Sequence, residues 1–108
     1  MARGSAPLAL KHVLAQLLAT CPEDEVRNGD RALTLAQEVF QQEQTLDHAE
    51  TLAMALAEVG DFAAAIELQK RIVAESGRQG QSELARRAER WLESYQRGEP
   101  VRAPWQGE

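Results

Sequence analysis

The sequence predicts an all-α protein made of two helical hairpins and a closing helix. Three observations predict it. Apolar residues recur at steps of three or four through five segments, the spacing that gathers them on one face of a helix. Aromatics are only 5% of the chain while Ala and Leu are plentiful, a balance that favours helices packed through small side chains. The third observation is internal repetition. A shift of 33 residues sets Ala32 on Ala65, Leu33 on Ile66, Leu35 on Leu68, Val39 on Ile72 and Phe40 on Val73. A shift of 38 sets Leu14-Ala15 on Leu52-Ala53 and Leu18 on Leu56.

Residues 1–6 (MARGSA) carry no periodic pattern and are expected to be disordered. Helix 1 is expected over 7–20, with Pro7 in the first turn and a wide apolar stripe of Leu10, Val13, Leu14, Leu17 and Leu18. Cys21 to Gly29 reads as a loop, because Pro22 stops the helix and Asn28-Gly29 is a turn signal. Asp30 is the expected cap of helix 2, which runs to about Gln42 with Ala32, Leu33, Ala36, Val39 and Phe40 on its face. Helix 3 is expected over about 46–59, capped by Asp47 with Glu50 completing a capping box. Gly60 suits the left-handed residue that closes it, and Asp61 suits the cap of helix 4, expected over 62–76. Ser76 to Gly80 reads as a flexible connection. Helix 5 follows over 81–97, with Leu84, Ala85, Ala88, Trp91, Leu92 and Tyr95 on one side and Arg86, Arg87, Glu89, Arg90, Glu93 and Arg97 on the other. Trp91 and Tyr95 share a face and are expected to pack on helix 4. Residues 98–108 read as an extended tail, with Trp105 in a Pro-rich setting.

The stretch Leu46 to Ser76 resembles the tetratricopeptide (TPR) repeat, a helix–turn–helix unit of about 34 residues. With Leu46 as the first repeat position, Leu52-Ala53 fall on the family's Leu-Gly pair and Leu56 on its Tyr. Gly60-Asp61-Phe62 fall on the inter-helix turn and Ala65 on the small residue of the second helix. Ala49 stands in place of the early Trp, Gln69 of the Phe, Ile72 of the second small residue and Gly77 of the closing Pro. The long loop after Leu-Ala-Thr-Cys-Pro and the ending Tyr-Gln-Arg-Gly-Glu-Pro resemble a bacterial subgroup of the family. The resemblance implies a right-handed α-solenoid with hairpins 7–42 and 46–76 and a cap helix 81–97. The chain would be the C-terminal piece of an array.

It also implies a function: a non-enzymatic scaffold that takes a peptide or protein partner in a concave groove lined by the first helix of each pair. That places Asp47, Glu50, Met54 and Glu58 of helix 3, with His12 and Gln16 of helix 1, as the groove residues. Helix 3 contains no Lys or Arg, so the face is expected to stay negative and to suit a basic or neutral segment. The Lys and Asn with which some TPR modules grip a terminal carboxylate are missing from these positions. The competing expectation is a structural end piece without a ligand groove, self-associating as a homodimer through the broad apolar face of helix 1.

Composition narrows the other classes. At 108 residues this is one domain at most. The net charge of −5 argues against nucleic acid as a partner. The charge is uneven, with six basic and twelve acidic residues over 1–76 and six and five over 77–108. The apolar run from Pro7 is interrupted by Lys11, His12 and Gln16, so neither a membrane span nor a leader is expected. Cys21 is the only cysteine, which removes an internal disulfide and a thiolate metal cluster. These features fit a cytoplasmic protein, unless the chain belongs to a longer exported one. His12 and His48 have no second ligand at metal spacing and read as helix-surface residues. Cys21 lies beside acidic residues that disfavour its thiolate, and no phosphate-binding glycine loop occurs. No catalytic residue, cofactor or metal site is therefore expected.

Overall fold

Three glycines punctuate the chain. Gly60, Gly80 and Gly98 have φ of 89°, 74° and 75°, the left-handed region that other residues enter only under strain. Each lies just past a helix end, and the residue after each donates back to the helix. Asp61 N–H bonds Leu56 O, Gln81 N–H bonds Ser76 O and Glu99 N–H bonds Ser94 O, each at 2.9 Å. These bonds satisfy carbonyls that a helix end would otherwise leave orphaned.

The computed structural model describes residues 7–104. It contains five helices: α1 Leu8–Thr20, α2 Gly29–Gln42, α3 Leu46–Glu58, α4 Phe62–Arg78 and α5 Ser82–Gln96. No strand occurs among the described residues, so the all-α expectation stands. The expected disorder of 1–6 and the fate of Trp105 lie outside them.

The caps differ in detail from the sequence reading. Asp61 does cap α4, accepting from Ala64 N–H at 3.2 Å. Asn28 rather than Asp30 caps α2, accepting from Arg31 N–H at 3.1 Å. Thr45 rather than Asp47 caps α3, accepting from His48 N–H at 3.1 Å. Asp30 and Asp47 instead sit in the first turns, where a negative charge suits the helix dipole. Helix α4 runs on through Gly77 to Arg78, because Gly80 and not Gly77 supplies the left-handed residue that ends it.

Helix α1 packs on α2 and α3, α2 on α3, α3 on α4, and α4 on α5. Alanines line these seams. Ala15, Ala19, Ala32, Ala36, Ala53, Ala57 and Ala65 are all buried in one cluster, which lets helix axes approach closely. The repeat seen in the sequence recurs in burial: Ala15 and Ala53, Ala32 and Ala65, and Val39 and Ile72 are each buried pairs. A second cluster of Ala49, Ile72 and Ala88 ties α3 and α4 to α5. Helix α3 is the most enclosed, with His48, Ala49, Glu50, Thr51, Ala53, Met54, Ala55 and Ala57 all buried.

Past Gly98 the chain turns back as a non-helical segment. Val101 is buried in the main cluster and Ala103 N–H donates to Thr20 O at the end of α1, at 2.9 Å. This return brings Arg102 to within 2.9 Å of Glu58 on α3.

Candidate functional site

Five of the six expected groove residues meet in one cleft of about 250 Å³. His12 and Gln16 come from α1, and Asp47, Glu50 and Met54 from α3. Arg87 and Trp91 of α5 form the opposite wall, and Pro104 of the returning segment closes one end. The sixth residue, Glu58, is two turns further along α3 and belongs to a separate group of charges.

Glu50 is the most constrained member. Its side chain is only 4% exposed, and Oε1 accepts from Arg87 Nη2 at 2.9 Å. Its Oε2 has no hydrogen-bond partner, nor does the buried hydroxyl of Tyr95. Burial pushes the Glu50 carboxyl above the ordinary carboxylate range, and the pull of Arg87 only partly opposes this. Burial, and then the charge of Glu50, push the Tyr95 phenol upward as well. Gln69 of α4 completes this layer. It is fully buried and donates through Nε2 to Ala88 O at 3.0 Å, bridging α4 and α5. The Gln69 amide nitrogen thus has a defined partner. The Arg87 guanidinium also lies 5.1 Å from the centre of the Trp91 ring, a cation–π placement.

Glu58 is gripped from two directions. Oε2 accepts from Arg27 Nε at 3.0 Å, and Oε1 lies 2.9 Å from Arg102 Nη1. Arg27 also pairs with Asp24 and donates to Cys21 O at 2.6 Å, so one side chain pins the Cys21–Asn28 loop to α3. The close approach depends on Gly29, where a Cβ would meet Glu58 Cγ and Val59 Cγ1 at 3.0 Å.

The expectation of an unneutralised negative face therefore needs correction. Helix α3 has no cation of its own, but Arg87, Arg27 and Arg102 reach its acids from α5, a loop and the returning segment. Glu50 is not a capping-box residue, and Met54 is 1% exposed and belongs to the core. Asp47 remains exposed at the mouth of the cleft. The histidines also depart from a surface role. His48 is buried, and its Nδ1 sits 2.7 Å from Glu43 O, placed to donate. His12 is half-buried, with Nε2 2.7 Å from Thr51 Oγ1 and its ring edge-on to His48 at 4.6 Å. Burial, then the neighbouring His48, hold the His12 imidazole below its ordinary value. No group of three or more potential metal ligands occurs among the described residues. No described helix is long and apolar enough to cross a membrane.

A larger cleft, about 670 Å³, opens between the end of α2, the start of α3 and the α4–α5 turn. Phe40, Leu46, Leu68 and Leu84 give it an apolar floor, with Arg71 and Glu75 at its edge. Tyr95 is buried in the same cluster as Ala15 and Ala53, so it joins the α1–α3 core rather than α4 alone. Compared with protein-family models, with curated proteins and with solved structures, the chain matches none.

Proposed function

We propose that this chain is a TPR-like protein-interaction module, non-enzymatic, whose α1/α3/α5 face takes a segment of a protein partner. Antiparallel hairpins α1–α2 and α3–α4, the repeated burial pattern and a polar closing helix support a right-handed α-solenoid of two repeats and a cap. One observation carries the functional reading. The cleft gathers His12, Gln16, Asp47 and Glu50 opposite Trp91, and the buried Glu50 keeps one oxygen without a partner. Asp47 and Glu50 against Arg87 leave an excess of acid there, beside an aromatic wall. Such a cleft suits a partner's basic side chain, held by charge and by the Trp91 face.

The experiment is titration of a labelled basic peptide at two salt concentrations. Binding should weaken as salt rises and fall at least several-fold with Asp47→Lys, an exposed position whose change leaves the core alone. Binding that ignores both salt and Asp47→Lys would exclude this cleft.

A second reading is favoured by α1, where Leu10, Val13 and Leu17 are 56%, 60% and 37% exposed on one stripe. In that reading the chain is a structural end piece that dimerises or stacks on another repeat through α1. Sedimentation across a wide concentration range tests it, and a persistent monomer would count against the dimer.

A further inference from the structure

We infer that the segment Pro100–Pro104 is a resident ligand of the α1/α3/α5 face. The partner segment that replaces it would carry the same pair, a small β-branched apolar residue followed directly by arginine. This rests on the proposed interaction role and names the ligand chemistry and its control.

The observations come from three elements meeting one short segment. Val101 is 7% exposed and belongs to the main buried cluster, which also holds Ala15, Ala19 and Tyr95. Arg102 puts Nη1 2.9 Å from the half-buried Glu58, which Arg27 already holds from the other side. The Ala103 N–H donates to Thr20 O, and Pro104 closes the end of the cleft that contains Glu50. An apolar anchor, a charge pair and a main-chain hydrogen bond are the contacts by which a groove reads a bound segment. Here the chain supplies that segment itself, joined to α5 by the turn at Gly98.

Two features make this contact a releasable one. Arg102 is exposed as a residue, so its end of the pair meets solvent although the Glu58 oxygen it faces is buried. Ala103 has φ of 48°, in the left-handed region, although a residue before proline favours extended backbone. The segment is thus held in a strained form by its contacts and not by its own preference. Release would free Glu58 Oε1, uncover the Val101 site and open one end of the Glu50 cleft. Because the segment is tethered, its local concentration is high, and a free segment of the same composition must compete against it.

The test uses a fluorescently labelled peptide of sequence Glu-Pro-Val-Arg-Ala-Pro and the full chain. The intact protein should bind it weakly. The variant Val101→Asp with Arg102→Glu, which expels the resident segment, should bind it at least tenfold more tightly. A peptide with Glu in place of Arg should lose that binding. Helicity by circular dichroism checks that the variant folds, and Arg102→Gln serves as the milder opening if it does not. Equal affinity of intact and opened chains would overturn occlusion by the segment. No binding to either opened chain would overturn the Val-Arg chemistry. An oligolysine peptide, bound in an Asp47-dependent way while the Val-Arg peptide is not, would leave the interaction role standing and remove only this inference.

Discussion

The pair Glu50–Arg87 offers the sharpest test, because its two halves should behave unequally. Glu50 is nearly fully enclosed, while the Arg87 side chain is 40% exposed. The upward shift of the Glu50 carboxyl says that burial costs the carboxylate more than Arg87 returns. Glu50→Gln, which removes the charge and keeps the shape, should therefore change stability by less than about 1 kcal/mol in either direction. Arg87→Leu keeps apolar packing near Trp91 but leaves the carboxylate alone. Its escape is to take a proton. At pH 7 that costs about 1.4 kcal/mol for each unit above the ordinary value of 4.5, which sets a ceiling of about 3.5 kcal/mol. Loss of the cation–π contact adds roughly 0.5–1 kcal/mol in either background. Urea unfolding followed by circular dichroism would read these values, and thermal melts should move by about 4–8 °C per kcal/mol. The sign with pH follows. A carboxyl raised in the folded state binds its proton more tightly there, so its contribution to stability falls as pH rises from the ordinary value through the raised one. The penalty of Arg87→Leu should thus shrink towards pH 5 and be largely absent when Glu50→Gln is also present. An Arg87→Leu penalty that is the same with and without Glu50→Gln, at both pH values, would refute the pairing.

Other expectations follow from the same contacts. Ala65→Leu should overpack the fully buried seam of α4 and cost about 1–3 kcal/mol, measured by denaturant unfolding; a neutral result would mean that the seam can open. The His12 imidazole is held below its ordinary 6.5 by burial and His48, with Asp47 pulling the other way. Its contribution to stability is complete above 6.5 and is lost as pH falls from there through the lowered folded value, so His12→Gln should flatten the dependence of melting temperature on pH below 6.5. Leu10→Glu and Leu17→Glu should leave helicity intact, since both side chains are exposed, and should abolish any self-association seen by sedimentation. Loss of fold in these variants would show that α1 needs its apolar stripe for stability.

The helices were legible because their signals are local. Periodicity, the alanine seams and the glycine at position 60 all act within a few residues of where they are read. The errors are local competitions too. Asn28 and Asp30 both offer a capping oxygen, as do Thr45 and Asp47, and the one that wins sits where the chain enters the helix. Gly77 and Gly80 likewise compete to end α4. A lone helical glycine is tolerated, and the left-handed turn at Gly80 closes the helix with the Gln81 to Ser76 bond.

The site was legible in membership and not in charge. The TPR resemblance, aligned on α1 and α3, grouped His12, Gln16, Asp47, Glu50 and Met54, and these residues do share a cleft. The potential of that cleft depends on arginines far away in sequence. Arg87 is 37 residues from Glu50, and Arg27 is 31 from Glu58, so no window along α3 contains the answer. A weaker signal existed in α3 itself. A helix covered on one side buries a stripe, but Thr51, Glu50 and His48 follow one another beside Ala49 and are all buried. Consecutive buried positions require neighbours on several sides, and a helix in that position keeps its polar residues only if other elements bring partners to them. Arg87, Gln69 and His12 surround this stretch, and Arg27 and Arg102 do the same for Glu58 one turn below Met54. The acid-rich third helix therefore implied inward-turned arginines in the segments around it, and the returning Val101-Arg102 pair is one of them.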